Sequence, residues 1–234
     1  MAGESEATME LSGIGSMATR QMLAELVERY RRETGHRVSV TSIGGVEAAR
    51  RVQAGEMFDF AVLASGAIDR LIEAGHLAAD RTDIARSGMA VAVGNSAPRP
   101  DVSSSAALRE AVLRAPRIGY STGPSGDHLM KLIAGWGLTD ELAPRLVQAP
   151  PGVPVGRLIA EGEVAIGFQQ LTELINIPGV VVLGPLPADM QLITVFAAAV
   201  CTVSRRAEVA RNFLSFLASE ATCEVKHIFG MEPA

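Results

Sequence analysis

Hydrophobic positions along the chain fall into short continuous runs that alternate with stretches of helical periodicity, the pattern of strands followed by amphipathic helices. A strand is predicted over residues 9–13, running into Gly15-Ser16. A helix follows over 17–33, where Met22, Leu23, Leu26, Val27 and Tyr30 recur at helical spacing and Thr34-Gly35-His36 ends it. A second strand over 38–42 leads through Gly44-Gly45 into a helix closed by Ala54-Gly55, and a buried strand over 58–63 precedes a helix from Ser65 to Gly75. Strands separated by crossover helices predict a parallel sheet covered by helices.

The same grammar returns further on. A strand over 89–93 is followed by a polar, Pro-containing loop over 94–105 and a helix to Arg114. Strands are predicted over 117–120, 146–148, 164–169 and 180–183, with helices over 127–136, 155–161 and 171–175. Residues 191–203 read as one long apolar strand, and two amphipathic helices finish the chain, with Phe213, Leu214 and Leu217 on the apolar side of the first. Two blocks of one grammar, with long apolar strands between them, predict an α/β fold of two lobes joined by two crossings near 86–93 and 191–203. The first lobe is then discontinuous, residues 1–85 plus 200–234, and the second covers 86–199.

Composition narrows the function. The chain has 234 residues, 48% hydrophobic and 20% charged, and a net charge of −5 from 21 basic and 26 acidic side chains. A mildly acidic chain without Lys/Arg runs lacks the footprint of phosphate-backbone binding, so no nucleic acid partner is expected. Aromatics at 4% are too few for stacking platforms. The two cysteines form no CxxC motif and no disulfide framework. No run approaches 18 apolar residues, so no membrane-spanning helix is expected. Residues 1–6 carry neither the basic nor the apolar stretch of a secretory signal, which fits a cytosolic chain or a mature secreted one.

In open α/β sheets, ligands bind beyond the carboxyl ends of strands. Here those ends share a composition: Gly13-Ile14-Gly15-Ser16, Ser42-Ile43-Gly44-Gly45, Ser121 to Gly126, Pro150 to Pro154, and Gly167-Phe168-Gln169-Gln170. Any one such turn is usually a cap or a tight turn. Their recurrence in both blocks predicts a small anion held by N–H groups at helix N-termini. The 123–126 stretch lacks phosphate-loop spacing, no GxSxG elbow is present, and the 4 His show no ligand spacing, so no cofactor or metal is expected. His128 and Asp127 lie in the first turn of a helix facing the expected pocket, and alternation predicts that one of Gln169 and Gln170 points into it.

The order of these units, the run Gln53-Ala54-Gly55-Glu56-Met57-Phe58-Asp59-Phe60-Ala61-Val62 and the turn at Gly15-Ser16 resemble the molybdate-binding protein family of type II periplasmic binding proteins, over about residues 8–233. The resemblance implies a two-lobed fold, each lobe a mostly parallel sheet flanked by helices, with the ligand in a cleft between them. It implies that Ser16 binds the ligand and that Gly44 and Gly45 offer only backbone donors where the family has a Ser. The third turn supplies Thr122, Ser125 and Gly126, and the fourth Val153 and Val155. Gln170 stands where the family has a Tyr, with Gln169 beside it. This exchange points from molybdate toward an organic polycarboxylate. The implied partners are a small anion and an ABC-type transporter component, for a monomeric protein of the periplasm; a cytosolic ligand sensor is a remoter alternative. A departing branch resembles aconitate isomerase, which would interconvert trans- and cis-aconitate by allylic proton transfer. His128, Asp127 and Glu47 are its candidate bases.

Overall fold

The computed structural model describes residues 8–234, so the reading of residues 1–6 lies outside it. The chain forms two compact units. The first runs to Ala85 and resumes over Val195–Ile228 and Glu232–Ala234; the second holds Arg86–Thr194 and Phe229–Met231.

The first unit is built from β1 (Glu10–Ser16), α1 (Arg20–Thr34), β2 (Arg37–Ile43), α2 (Gly45–Gln53), β3 (Phe60–Ala64) and α3 (Ser65–Glu73). It also takes the start of the strand β4 (Thr82–Gly94), which continues into the second unit. Each helix follows from an apolar stripe: α1 buries Met22, Leu23, Leu26 and Tyr30, and α3 buries Ile68 and Leu71. Gly35 ends α1 in the left-handed conformation at φ 75°, donating its N–H to the Arg31 carbonyl at 2.9 Å, a geometry that suits a residue without a side chain.

The second unit contains α4 (Ser105–Arg114), β5 (Ile118–Tyr120), α5 (Pro124–Gly135), the short α6 (Thr139–Leu142), β6 (Leu146–Gln148), α7 (Val155–Ala160), β7 (Ile166–Gln170) and β8 (Val180–Pro185). The strand β9 (Ile193–Val200) carries the chain back to the first unit, which ends with α8 (Ala207–Ala218) and α9 (Cys223–Ile228).

In the first unit β2, β1 and β3 are parallel neighbours, and β9 adds antiparallel to β3. In the second, β7, β5 and β6 are parallel, with β4 antiparallel to both β7 and β8. Parallel strands joined by helices place every carboxyl end of a set on one side, which fixes where the βα turns gather.

Several boundaries differ from the periodicity. Helix α5 begins at Pro124 rather than 127, because Pro fits the first helical position, where its missing N–H has no partner to lose. Strand β4 begins at Thr82, seven residues before the apolar run; its first half mixes buried Ile84, Ala85 and Ser87 with exposed Asp83 and Arg86, so neither an apolar run nor a strict alternation marks it. Strand β9 spans Ile193–Val200 rather than 191–203, since the chain turns at Cys201, whose carbonyl accepts the Ser204 N–H at 3.0 Å.

The core of the first unit includes an aromatic cluster of Tyr30, Phe60, Phe213 and Phe216, with ring centroids 5.0–6.4 Å apart. Phe60 lies over Gly13 so closely that a Cβ there would sit 2.2 Å from the ring. The second unit packs Phe168, Ile166, Val91 and Val93 against Leu108, Val112, Leu129 and Ile133 of α4 and α5. Cys201 and Cys223 are both free thiols, and burial, with Asp59 nearby, pushes the Cys201 thiol up to about 12. No described helix is long and apolar enough to cross a membrane.

Asp59 ties the first unit together. Its buried carboxylate accepts the Ser12 N–H of β1 at 2.8 Å and the Ser204 hydroxyl at 2.7 Å, while its carbonyl accepts the Cys201 N–H at 2.9 Å. The Arg206 guanidinium lies 3.5 Å from the same carboxylate. Replacing Asp59 leaves the partly buried Ser12 N–H and the Ser204 hydroxyl without this acceptor, so Asp59→Ala is expected to lower stability by about 3 kcal/mol. Urea unfolding followed by circular dichroism measures this; a midpoint within error of the parent would show that the carboxylate is not a structural tie.

Candidate functional site

In the first unit, β1 and β2 end level, with Ser16 opposite Ile43. Ser16 is buried, and its Oγ lies 3.5 Å from the Thr19 hydroxyl, a contact at the limit of hydrogen bonding. Thr19 donates its own proton to the Ser16 carbonyl at 3.0 Å, so the Ser16 hydroxyl keeps a donor without a short partner. Beside it, α2 follows Gly44 with no side-chain cap, and a Cβ on Gly45 would lie 3.8 Å from the Ser16 Cβ. The first-turn N–H groups of a helix have no intrahelical acceptor. Here they adjoin a serine hydroxyl, a pair of donor types suited to an anion. Glu47 does not join them: its carboxylate is paired with Arg50 at 2.6 and 2.7 Å, and that hydrogen bond lowers its pKa.

In the second unit, β5 and β7 lie side by side, Tyr120 opposite Phe168, so their carboxyl-end turns are adjacent. After β5, Ser121 and Ser125 share one hydrogen bond at 2.8 Å. Two hydroxyls carry two protons and this contact uses one, leaving the other for a ligand. Gly126 lets the loop close: a Cβ there would stand 1.8 Å from the Ser121 carbonyl oxygen. Its N–H returns to the Gly123 carbonyl at 2.9 Å, and Asp127 follows at 3.1 Å. Thr122 and Asp127 are exposed, and α5 has no side-chain cap. His128 turns to the Met190 carbonyl at 2.8 Å through Nε2, which must therefore carry the proton as donor.

The expected backbone donors after β6 are used within the protein. The Val153 N–H goes to the Pro150 carbonyl at 3.0 Å, and the Val155 N–H to Oε1 of Gln169 at 2.7 Å. Alternation suggested that one of the two glutamines faces outward. Both are buried, because all five residues of β7 are, lying between β4 and β5 with apolar packing on each face. Gln169 donates its Nε2 to Oε1 of Glu173 at 2.8 Å. Gln170 is satisfied when its amide is oriented with the oxygen accepting from the Thr194 hydroxyl at 2.7 Å, which leaves the nitrogen 3.1 Å from both the Ser87 and the Gly88 carbonyls.

Glu173 is absent from the residues that periodicity and turn composition pointed to. It lies in a short turn, Leu171–Glu173, half-buried, and burial pushes its carboxyl up to about 7 against the lowering effect of the Gln169 bond. The Thr172 hydroxyl next to it is buried with no partner among the described residues. Among those residues no group of His, Cys, Asp and Glu is arranged to hold a metal ion.

Residues 11–232 match the family described as bacterial extracellular solute-binding protein. A relative described as aconitate isomerase from a Pseudomonas species is 31% identical over 229 residues, spanning 95% of this chain and 86% of the relative. Among solved structures, the periplasmic molybdate-binding protein of Azotobacter vinelandii superposes with a TM-score of 0.80 at 19% identity, covering 94% of this chain and 98% of its own. The sulfate-binding protein of Mycobacterium tuberculosis does so with a TM-score of 0.79 at 15% identity, covering 97% and 87%.

Glu173 also sets a pH dependence. Its pKa in the folded chain lies above the ordinary carboxylate value of 4.5, so the folded state binds a proton that the unfolded state has released. The stability it contributes is present below about pH 4.5 and is lost as pH rises through about 7. Urea midpoints between pH 5 and 8 should therefore fall further in the parent than in Glu173→Gln; identical slopes would refute the assignment.

Proposed function

Because the chain belongs to the bacterial extracellular solute-binding protein family, we propose that it captures a small oxyanion or organic polycarboxylate and, in the periplasm, delivers it to an ABC-type transporter. Support comes from one observation above the rest: the Ser16 hydroxyl keeps a donor beside the uncapped start of α2. The Ser121/Ser125 pair at the start of α5 offers a second donor set of the same kind. The similarity to molybdate- and sulfate-binding structures accords with an anionic ligand.

Hydroxyl and helix N–H donors accept a carboxylate as readily as a tetrahedral oxyanion. Val46, the residue after Gly45, is 74% exposed, an apolar surface beside the donors that can cover the carbon skeleton of an organic acid. The glutamines are positioning residues in this reading, since both amides are engaged by the protein.

A second reading, isomerisation of aconitate in the same site, is favoured by the 31% identical relative. The reaction moves one proton between allylic carbons. It needs a base and donors that stabilise the carbanion-like state beside a carboxylate, a task that hydroxyls and helix N-termini perform well.

Thermal melts with molybdate, tungstate, sulfate, citrate and trans-aconitate sort the ligands, because whatever prefers the folded state raises the midpoint. Tricarboxylates are expected to stabilise more than molybdate; stabilisation by molybdate alone would remove the isomerase reading. Ser16→Ala is expected to weaken binding by about 1–3 kcal/mol, measured by titration calorimetry. Unchanged affinity would mean that the site lies elsewhere.

A further inference from the structure

We infer that the Glu173 carboxylate is the group that moves the proton in the isomerase reading, lifting it from one allylic carbon of the bound tricarboxylate and returning it to the other. The inference rests on that reading and supplies the base it lacks.

The other acids and bases near the expected ligand turns are committed or poorly placed. Glu47 is held by Arg50, and His128 by the Met190 carbonyl. Asp127 is an exposed first-turn acid at a helix N-terminus. Glu173 differs in geometry. It follows the carboxyl end of β7, whose neighbour β5 carries the Ser121/Ser125 loop. One carboxylate oxygen is oriented by the Gln169 amide at 2.8 Å, and that amide is itself anchored by the Val155 N–H at 2.7 Å. The second oxygen, Oε2, makes no hydrogen bond or ion pair among the described residues. A base fixed through one oxygen and unengaged at the other is the arrangement that a proton-transfer group requires.

The protonation equilibrium suits the task. A value of about 7 leaves carboxylate and carboxylic acid both populated near neutrality, as a group that must first accept and then donate requires. Burial alone raises it. No charged neighbour contributes, and Arg157 on α7 is paired with Glu161 at 2.8 Å.

The step balances without a co-reactant. A C–H bond of the substrate methylene breaks and an O–H bond forms on Glu173. The electron pair spreads over the allylic system and its carboxylate. The same O–H then protonates the far carbon, shifting the double bond and restoring the carboxylate.

The test follows trans-aconitate in deuterated buffer by proton NMR, for the parent and for Glu173→Gln, with ligand-induced melting shifts recorded in parallel. The parent is expected to exchange, with a rate that rises with pH and levels off above about 7. Glu173→Gln can still accept the Gln169 hydrogen bond, so it should keep the melting shift while exchanging on the order of 100-fold more slowly or less. Exchange at the parental rate in Glu173→Gln would overturn the inference and leave the isomerase reading standing. A parent that is stabilised by trans-aconitate but shows no exchange would overturn both. Should Glu173→Gln fail to fold, the parent's pH profile decides: a rate constant between pH 5 and 8 overturns the assignment.

Discussion

A strand buried on both faces offers no solvent to the polar side chains at its end, and β7 carries two of them. Gln169 and Gln170 must find every partner inside the protein, because an unsatisfied buried amide costs more than a made hydrogen bond returns. Gln169 does so by accepting from the first N–H of α7 and donating to Glu173. Gln170 does so across the Ser87 and Gly88 carbonyls and the Thr194 hydroxyl. Two adjacent amides thus fix the start of a helix, the orientation of an acid and the packing of β4 against β7.

The structural tie and the proposed ligand donors occupy different parts of the strands in the first unit. Asp59 precedes β3 and holds Ser12, in the first half of β1, together with the turn after β9. The proposed ligand donors lie at the opposite end of β1 and β2. A net charge of −5 is compatible with anion binding because these donors are neutral: hydroxyls and helix N–H groups do not enter the charge count.

The alternation of strands and helices was legible because most strands hold an apolar run and the longer helices carry a buried stripe. Two features were not. The first half of β4 mixes Asp83 and Arg86 with adjacent buried Ile84 and Ala85, which breaks both the apolar run and the period of two. Strand β7 defeated alternation for the opposite reason, since with both faces buried neither parity marks an outside. Turn composition pointed to Ser16, Gly44, Gly45, Ser125 and Gly126 as candidates, since small residues at strand ends are a local signal. It could not say that the Val153 and Val155 N–H groups are used, because Pro150 and Gln169 reach them through the fold. Glu173 carries no local signal, being one acid in a short turn; its burial and its tie to Gln169 exist only in three dimensions.

The central proposal, that a small anion is held by the first-turn amides of α2 beside the Ser16 hydroxyl, is tested most directly by amide hydrogen–deuterium exchange with saturating trans-aconitate, citrate and molybdate in turn. Slower exchange over residues 44–47 is expected with at least one of these anions. Unchanged rates in that segment, with protection appearing elsewhere in the chain, would contradict it.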